Sequence, residues 1–349
     1  MTRLRRSSPD RAGFTRRRRG RGWQFVDADG HPVDDETRAR IEGLVIPPAW
    51  TDVWISPWPN GHIQAVGSDD AGRRQYLYHE EWTSRRHRRK FSRVQEFAGQ
   101  LPRARRQVDE HLGQDGMPQT RALATAFSLL DRGHFRVGGE VYAQSNASFG
   151  LATIRRDQVR REHGALVFDY TAKSGLRRVE RINDQKLMGS IAILMRRRSG
   201  NPELLSFRDH DGHWRPIGSA AINTYLKDVV GPEFSAKDFR TWHGTVLGAV
   251  ALADQGREPP PRGWSRTART RAERAAVAQV SDVLGNTPAV CRGSYIDPRV
   301  MEAFERGDTI AASVDRARRH VPGDADELVT VGLAPTVERS VRKLLRENG

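Results

Sequence analysis

VWISPWPNGHIQAVGSDDAGRRQYLYHEEWTSRRHRRKFSRVQEFAGQL, residues 53–101, changes character once, near residue 80, and that change decides the fold. Its first half alternates short extended runs with turns. Val53–Ser56 and His62–Gly67 flank Pro57-Trp58-Pro59-Asn60-Gly61, and Asn-Gly between apolar runs is a strong hairpin signal because both residues tolerate positive φ. A second turn at Asp69–Gly72 leads into Arg73-Arg74-Gln75-Tyr76-Leu77-Tyr78. From residue 81 the period becomes helical: Phe91, Val94, Phe97, Ala98 and Leu101 share one face, with Arg85, Arg86, Arg88 and Arg89 on the remainder. A small β-rich domain over residues 23–101 follows, ending in a helix with a basic face.

Upstream, residues 1–22 hold the run Arg16 to Arg19 with one acidic residue and few apolar ones, which predicts a disordered basic tail. Downstream of Pro102 the pattern is mostly helical. Leu123, Ala126, Phe127 and Leu130 mark a helix that stops near Gly133. Leu166–Thr171 and Arg177–Arg181 flank Ala172-Lys173-Ser174-Gly175, a hairpin with Lys173 at its tip. Residues 203–216 read as another hairpin turning at Asp211-Gly212; His210, Asp211 and His213 there invite a metal reading, but Asp-Gly between strand-like runs is the signature of a turn. Glu258-Pro259-Pro260-Pro261 breaks the chain before a helix over 266–284, and a last helix lies near 335–346. The fold class is α+β, with the β-rich domain at 23–101 and a larger, mainly helical domain at 102–349.

The chain of 349 residues carries a net charge of +15, which calls for a polyanionic partner, nucleic acid before an anionic membrane surface. No window reaches the roughly 18 consecutive apolar residues of a membrane span, and the Arg-rich start lacks the apolar stretch of a secretory signal. A cytoplasmic, nucleoid-associated location is therefore expected. The single cysteine, Cys291, excludes an internal disulfide and a cysteine-based zinc site, and reads as core. None of the six lysines (90, 173, 186, 227, 237 and 343) follows glycine in a phosphate-loop pattern, so no nucleotide site is expected.

Four separated places hold groups suited to phosphoryl transfer. They are Arg136 in Phe135-Arg136-Val137-Gly138-Gly139-Glu140; Lys173; Arg240 in Ala236-Lys237-Asp238-Phe239-Arg240-Thr241-Trp242-His243; and Gly285-Asn286-Thr287-Pro288 followed by Ser294-Tyr295-Ile296-Asp297-Pro298. Singly, each has a bland reading: salt-bridge arginines, a turn lysine, a helix-capping Asn286, a half-buried Tyr295. Their order and spacing resemble the type IB DNA topoisomerases, specifically the compact bacterial branch related to the poxvirus enzymes. The likeness extends to Ile46-Pro47-Pro48-Ala49-Trp50, Gly61-His62-Ile63-Gln64-Ala65, Gly72 through His79, and Gly150-Leu151-Ala152-Thr153.

By that resemblance Tyr295 is the nucleophile, Arg136 and Arg240 hold the non-bridging phosphate oxygens, Lys173 is a general acid, Asn286 donates a further hydrogen bond, and Lys237 is an auxiliary basic group. Gln75, Tyr76 and Tyr78 are implied to contact the DNA major groove, with Arg73 and Arg74 beside them. Strand alternation puts Tyr76 and Tyr78 on one face and Gln75 on the other. The implied activity is relaxation of supercoiled duplex DNA through a 3′-phosphotyrosyl intermediate, without ATP, metal or cofactor, by a monomer whose two domains clamp the duplex. The chemistry agrees with the residue types. Guanidinium forks neutralise the charge that develops on non-bridging oxygens, and an ammonium that can give up its proton serves a basic 5′-alkoxide leaving group. No general base for Tyr295 stands out.

Three departures from the family pattern stand in the sequence: Asn286 where poxvirus relatives have His, which excludes acid catalysis there; Ala172 in place of a Gly before the hairpin lysine; and Gln158 where His is common. A tyrosine site-specific recombinase shares this site, but typically carries His at the position of Lys237 and a helical N-terminal domain. A non-catalytic basic DNA-binding protein is the rival from another class.

Overall fold

The computed structural model describes residues 3–20, 22–139, 148–198, 200–257, 264–321 and 327–348. The expected break at Glu258–Pro261 lies outside them. The chain divides into two compact units, residues 1–92 and 93–349.

In the first unit, five antiparallel strands, β1 (Phe14–Arg19), β2 (Gly22–Val26), β3 (Thr51–Ile55), β4 (Ile63–Ser68) and β5 (Arg74–Tyr78), lie in the order β2-β1-β3-β4-β5. Helix α1 (Asp35–Gly43) is started by Asp34, whose carboxylate accepts from Thr37 N at 2.7 Å. The core holds Phe25, Ile41, Val53, Ile55 and Ala65. The sequence-expected turn over 57–61 is stapled by buried Gln64, whose amide donates to the carbonyls of Pro59 (3.0 Å) and Gly61 (2.6 Å).

The expected disordered tail is replaced by ordered structure. Arg16 to Arg19 belong to β1, the strand between β2 and β3, with Arg16 opposite Phe25 and Phe14 opposite Ile55. Alternation turns Phe14 and Arg16 inward and leaves Thr15 and Arg17 exposed. The Arg16 guanidinium donates to the carbonyls of Pro47 (2.8 Å) and Trp50 (2.6 Å) and lies over the Trp23 ring at 4.1 Å, so it pins the Ile46–Trp50 segment. Residues 5–7 are held too: Arg5 N donates to Asn60 O and Arg5 stacks on Trp58 at 3.7 Å.

Helix α2 (Glu80–Leu112) runs through the division between the units, with Pro102 inside it. The expected boundary at 101/102 thus falls mid-helix. Leu101, Ala104, Val108 and Leu112 continue the buried face begun by Val94 and Phe97, and that burial outweighs the roughly 3 kcal/mol an interior proline costs.

The second unit continues with α3 (Gln119–Arg132), a three-stranded antiparallel sheet of β6 (Val159–Glu162), β7 (Ala165–Thr171) and β8 (Arg177–Ile182), and α4 (Gln185–Arg196). The hairpin β9 (Ser206–Arg208) and β10 (Trp214–Pro216) follows, then α5 (Ser219–Val230), α6 (Ala236–Gln255), α7 (Arg266–Leu284), α8 (Pro288–Ser294), α9 (Pro298–Arg306), α10 (Ala311–Arg318), α11 (Glu327–Gly332) and α12 (Pro335–Glu347). The β9–β10 connection is a turn: Asp209 Oδ1 accepts from the amides of Asp211 (3.1 Å) and His213 (2.8 Å). Every residue of α6 from Asp238 to Ala253 is buried, as befits a helix enclosed on all sides, and it packs against α3, α5, α7, α9, α10, α11 and α12. Arg105 of α2 bridges Asp131 of α3 (2.7 Å) and Glu338 of α12, which also accepts from Trp242 Nε1 at 2.9 Å. No helix among the described residues is long and apolar enough to cross a membrane.

Candidate active site

Arg136 follows the stop of α3 at Gly133 and the buried Phe135. Its backbone is held by the Gly150–Thr153 segment: Leu151 N donates to Arg136 O and Ala152 N to Val137 O, both at 2.8 Å. That motif of the sequence therefore locates the arginine. Its side chain reaches the end of α7, where Nη2 donates to Asn286 Oδ1 at 2.6 Å and to Gly285 O at 3.1 Å.

Arg240 sits in the second turn of α6, whose start is fixed by a reciprocal cap between Ser235 and Asp238. The side chain is buried at 4% exposure, with Nη1 donating to His134 O and Nη2 to Leu284 O (2.7 Å). Its guanidinium carbon lies 5.2 Å from the Tyr295 ring centroid. Burial, then the neighbouring charge of Arg136, pulls its pKa below the usual arginine value, while Tyr295 acts in the opposite sense. Among the described residues its buried Nε has no partner.

Asn286 and Tyr295 flank α8. Helix α7 ends in left-handed Gly285, Thr287 caps α8 through Val290 N, and Tyr295 closes it with its amide donating to Cys291 O at 2.9 Å. Thr245 of α6 donates to Tyr295 O at 3.2 Å, and a Cβ at Gly244 would lie 2.7 Å from the same oxygen, so only glycine lets this segment approach α6 so closely. Cys291 is fully buried, and burial pushes its thiol up to about 11.

The fold thus gathers Arg136, Arg240, Asn286 and Tyr295, separated by up to 159 positions in the chain, around the C-terminal end of α7. Lys173 stands apart from them, exposed at the tip of the β7–β8 hairpin, and among the described residues its ammonium makes no hydrogen bond or ion pair. Ala172 has φ −94°, a conformation open to any residue, so the missing glycine costs nothing. Gln158 caps a short turn by accepting from Arg155 N at 2.9 Å. Lys237 is exposed in the first turn of α6.

In the first unit, β5 is an edge strand. Arg74, Tyr76 and Tyr78 share its exposed face, and the two tyrosine rings stack at 5.9 Å with Arg86 over Tyr78. Gln75 faces the other way and donates to Asp69 at 2.9 Å. Arg73 donates to the same carboxylate, and its hydrogen bonds hold Asp69 down at about 2.

Sequence reasoning missed Arg178 on β8, whose guanidinium donates to the carbonyls of Asp282 (3.0 Å) and Val283 and to Glu180. It also missed the buried pair His134 and Glu180 (3.7 Å) and His243, held neutral by burial with a pKa lowered to about 3. In a chain with 52 arginines nothing in the sequence separates Arg178 from Arg177 or Arg181.

Residues 79–320 match the family described as eukaryotic DNA topoisomerase I, catalytic core, which covers well over half the chain and defines the class: an enzyme that changes DNA topology. Residues 22–69 match the bacterial DNA topoisomerase IB N-terminal domain. The DNA topoisomerase 1B of Acanthamoeba polyphaga mimivirus is 29% identical over 268 residues, covering 76% of this chain and 79% of that protein. The chain belongs to the type IB DNA topoisomerases, and the recombinase and non-catalytic readings are set aside.

Proposed function

We propose that the protein relaxes supercoiled duplex DNA by transient single-strand cleavage through Tyr295, with a 3′-phosphotyrosyl intermediate and without ATP or metal. The observation that carries this is the convergence of two guanidiniums, an amide and the phenol: Arg240 lies against the Tyr295 ring and donates to Leu284 O, and Arg136 donates to Asn286, all at one helix end.

In this reading the Tyr295 oxygen attacks the scissile phosphorus, its phenolic proton passing to solvent, and the bond from phosphorus to the 5′-oxygen breaks. Arg136 and Arg240 exchange their contacts to backbone carbonyls for non-bridging oxygens, whose charge grows in the transition state. The orphaned Nε of Arg240 and the amide of Asn286 supply further donors. Lys173, free of protein partners among the described residues, gives its proton to the leaving oxygen. The new ester is close in energy to the bond it replaces, so rotation of the free end and reversal of the attack need no external energy source. Lys237 supplies an auxiliary charge. Tyr76, Tyr78, Arg73, Arg74 and Gln75 are the DNA contacts of the first unit; the two ties to Asp69 restrain Arg73 and Gln75, leaving Arg74 and the tyrosine pair as the open surface. The enzyme acts as a monomer.

The test is relaxation of supercoiled plasmid in EDTA without nucleotide. A ladder of topoisomers is expected. A requirement for Mg²⁺ or ATP would overturn the mechanism.

A further inference from the structure

Four consecutive carbonyls at the C-terminal end of α7 are taken by three guanidiniums in turn. Arg178 takes Asp282 O and Val283 O, Arg240 takes Leu284 O, and Arg136 takes Gly285 O. Helices leave their last carbonyls short of intrahelical partners, and the macrodipole makes this end negative, so cations gather there; here Asp282 O also accepts from Gly285 N at 3.2 Å and Leu284 O from the Asn286 amide at 3.3 Å. Two of the three arginines belong to the phosphate pocket. The third comes from the hairpin that carries Lys173.

We propose that Arg178 is a positioning residue that fixes the Lys173 hairpin against the phosphate pocket, an inference that rests on the general-acid reading of Lys173. On β8, Arg178 stands opposite Tyr170, and only the rung Thr171 to Arg177 separates it from the turn. Beyond that rung residues 173–176 are exposed, and among the described residues none of their side chains makes a hydrogen bond. The β7 side of the hairpin is tied by Phe149 N to Thr171 O at 2.7 Å; the β8 side is tied by the Arg178 fork. That fork is only 14% exposed and is steadied by Glu180, which faces His134 behind it. It also lies over left-handed Gly285, where a Cβ would come within 2.9 Å of Arg178 Nη1. A rigid path therefore runs from the lysine's turn to the residue bonded by Arg136. A helix cap of no catalytic consequence would serve stability alone; this one spans the two halves of the proposed chemistry.

The experiment compares Arg178→Ala and Arg178→Lys with Lys173→Ala in single-turnover cleavage of ordinary DNA and of DNA with sulfur at the bridging 5′ position. A thiolate leaves without a proton, so a defect that acts through the general acid disappears on the sulfur-bridged strand. Arg178→Ala is expected to cleave ordinary DNA about 10²-fold slower, the scale of a misplacement of about 1 Å, with DNA affinity unchanged. On the sulfur-bridged strand it should come within about threefold of the unmodified enzyme, as should Lys173→Ala. The double variant should be no slower on ordinary DNA than Lys173→Ala, since both act through one group. Arg178→Lys keeps one carbonyl bond and carries the test if the alanine variant does not fold. Equal defects of the Arg178 variants on both substrates, with Lys173→Ala rescued, would overturn the proposal and leave Arg178 a structural cap. Failure of sulfur to rescue Lys173→Ala would instead overturn the general-acid reading, and this inference with it.

Discussion

A single oxygen distinguishes Tyr295→Phe from the parent chain, and its loss should abolish covalent protein–DNA adducts on a denaturing gel while duplex affinity holds, because the charges that bind phosphates are untouched. Residual relaxation by that variant would point to another nucleophile. Arg136→Ala and Arg240→Ala should each slow cleavage beyond the roughly 10²–10³ typical of one lost oxyanion donor, since each carries full charge. The bond between Arg136 and Asn286 Oδ1 sharpens the next comparison. Asn286→Ala frees Arg136 and should cost less than either arginine, whereas Asn286→Asp converts the contact to an ion pair, holds Arg136 away from phosphate and should be slower than Asn286→Ala. Single-turnover rates that ranked the aspartate variant faster would refute this account. These groups were singled out in the sequence only by an order and spacing that resemble a family pattern, since each alone has a bland reading; the fold brings Arg136, Arg240, Asn286 and Tyr295 together. Arg178 was not singled out: its importance comes from two carbonyls brought to it by a helix more than 100 residues away.

At the scale of elements, the hairpins and the helix over 266–284 follow from turn residues and spacing, but β1 does not. A run of four arginines reads as solvated chain, and only the pairing of Phe14 and Arg16 against β2 and β3 reveals a strand. Deleting residues 1–20 therefore removes the strand that joins β2 to the rest of the sheet. The truncated protein should lose cooperative melting of its first unit; an unchanged melting curve would argue that β1 is dispensable. A second expectation concerns the ion cluster joining α2, α3 and α12. Burial alone would raise the pKa of Asp131, but the charge and hydrogen bonds of Arg105 more than offset it and hold it below the ordinary carboxylate value. A depressed folded pKa contributes stability that is full above the unfolded value of about 3.9 and is lost as pH falls through the folded one. Asp131→Asn, which leaves the half-buried Arg105 with Glu338 as its remaining carboxylate, should destabilise by about 1–3 kcal/mol near neutral pH. The penalty should shrink in acid, as chemical denaturation at several pH values would show.

Across the whole molecule, the charge of +15 makes DNA binding an exchange of counterions, so affinity should fall steeply with salt, by about 0.9 in log–log slope for each phosphate neutralised. A charge-neutralised Arg74→Gln protein should lose about one unit of that slope or less; no change would remove Arg74 from the DNA surface. The division into a sheet unit and a helical unit was legible from the change of period near residue 80. Its position was not, because proline is read as a stop, and here the apolar face on both sides of Pro102 carries α2 straight through it.

The deep burial of Cys291 has a practical corollary. A thiol sealed from solvent and titrating only near 11 stays unreactive toward maleimides at neutral pH. The native enzyme is thus silent to thiol labelling, and Leu176→Cys, at a hairpin position already 54% exposed, would take a fluorophore alone. Emission from that one dye would report when the hairpin tip meets DNA, in real time and with every proposed catalytic group left in place.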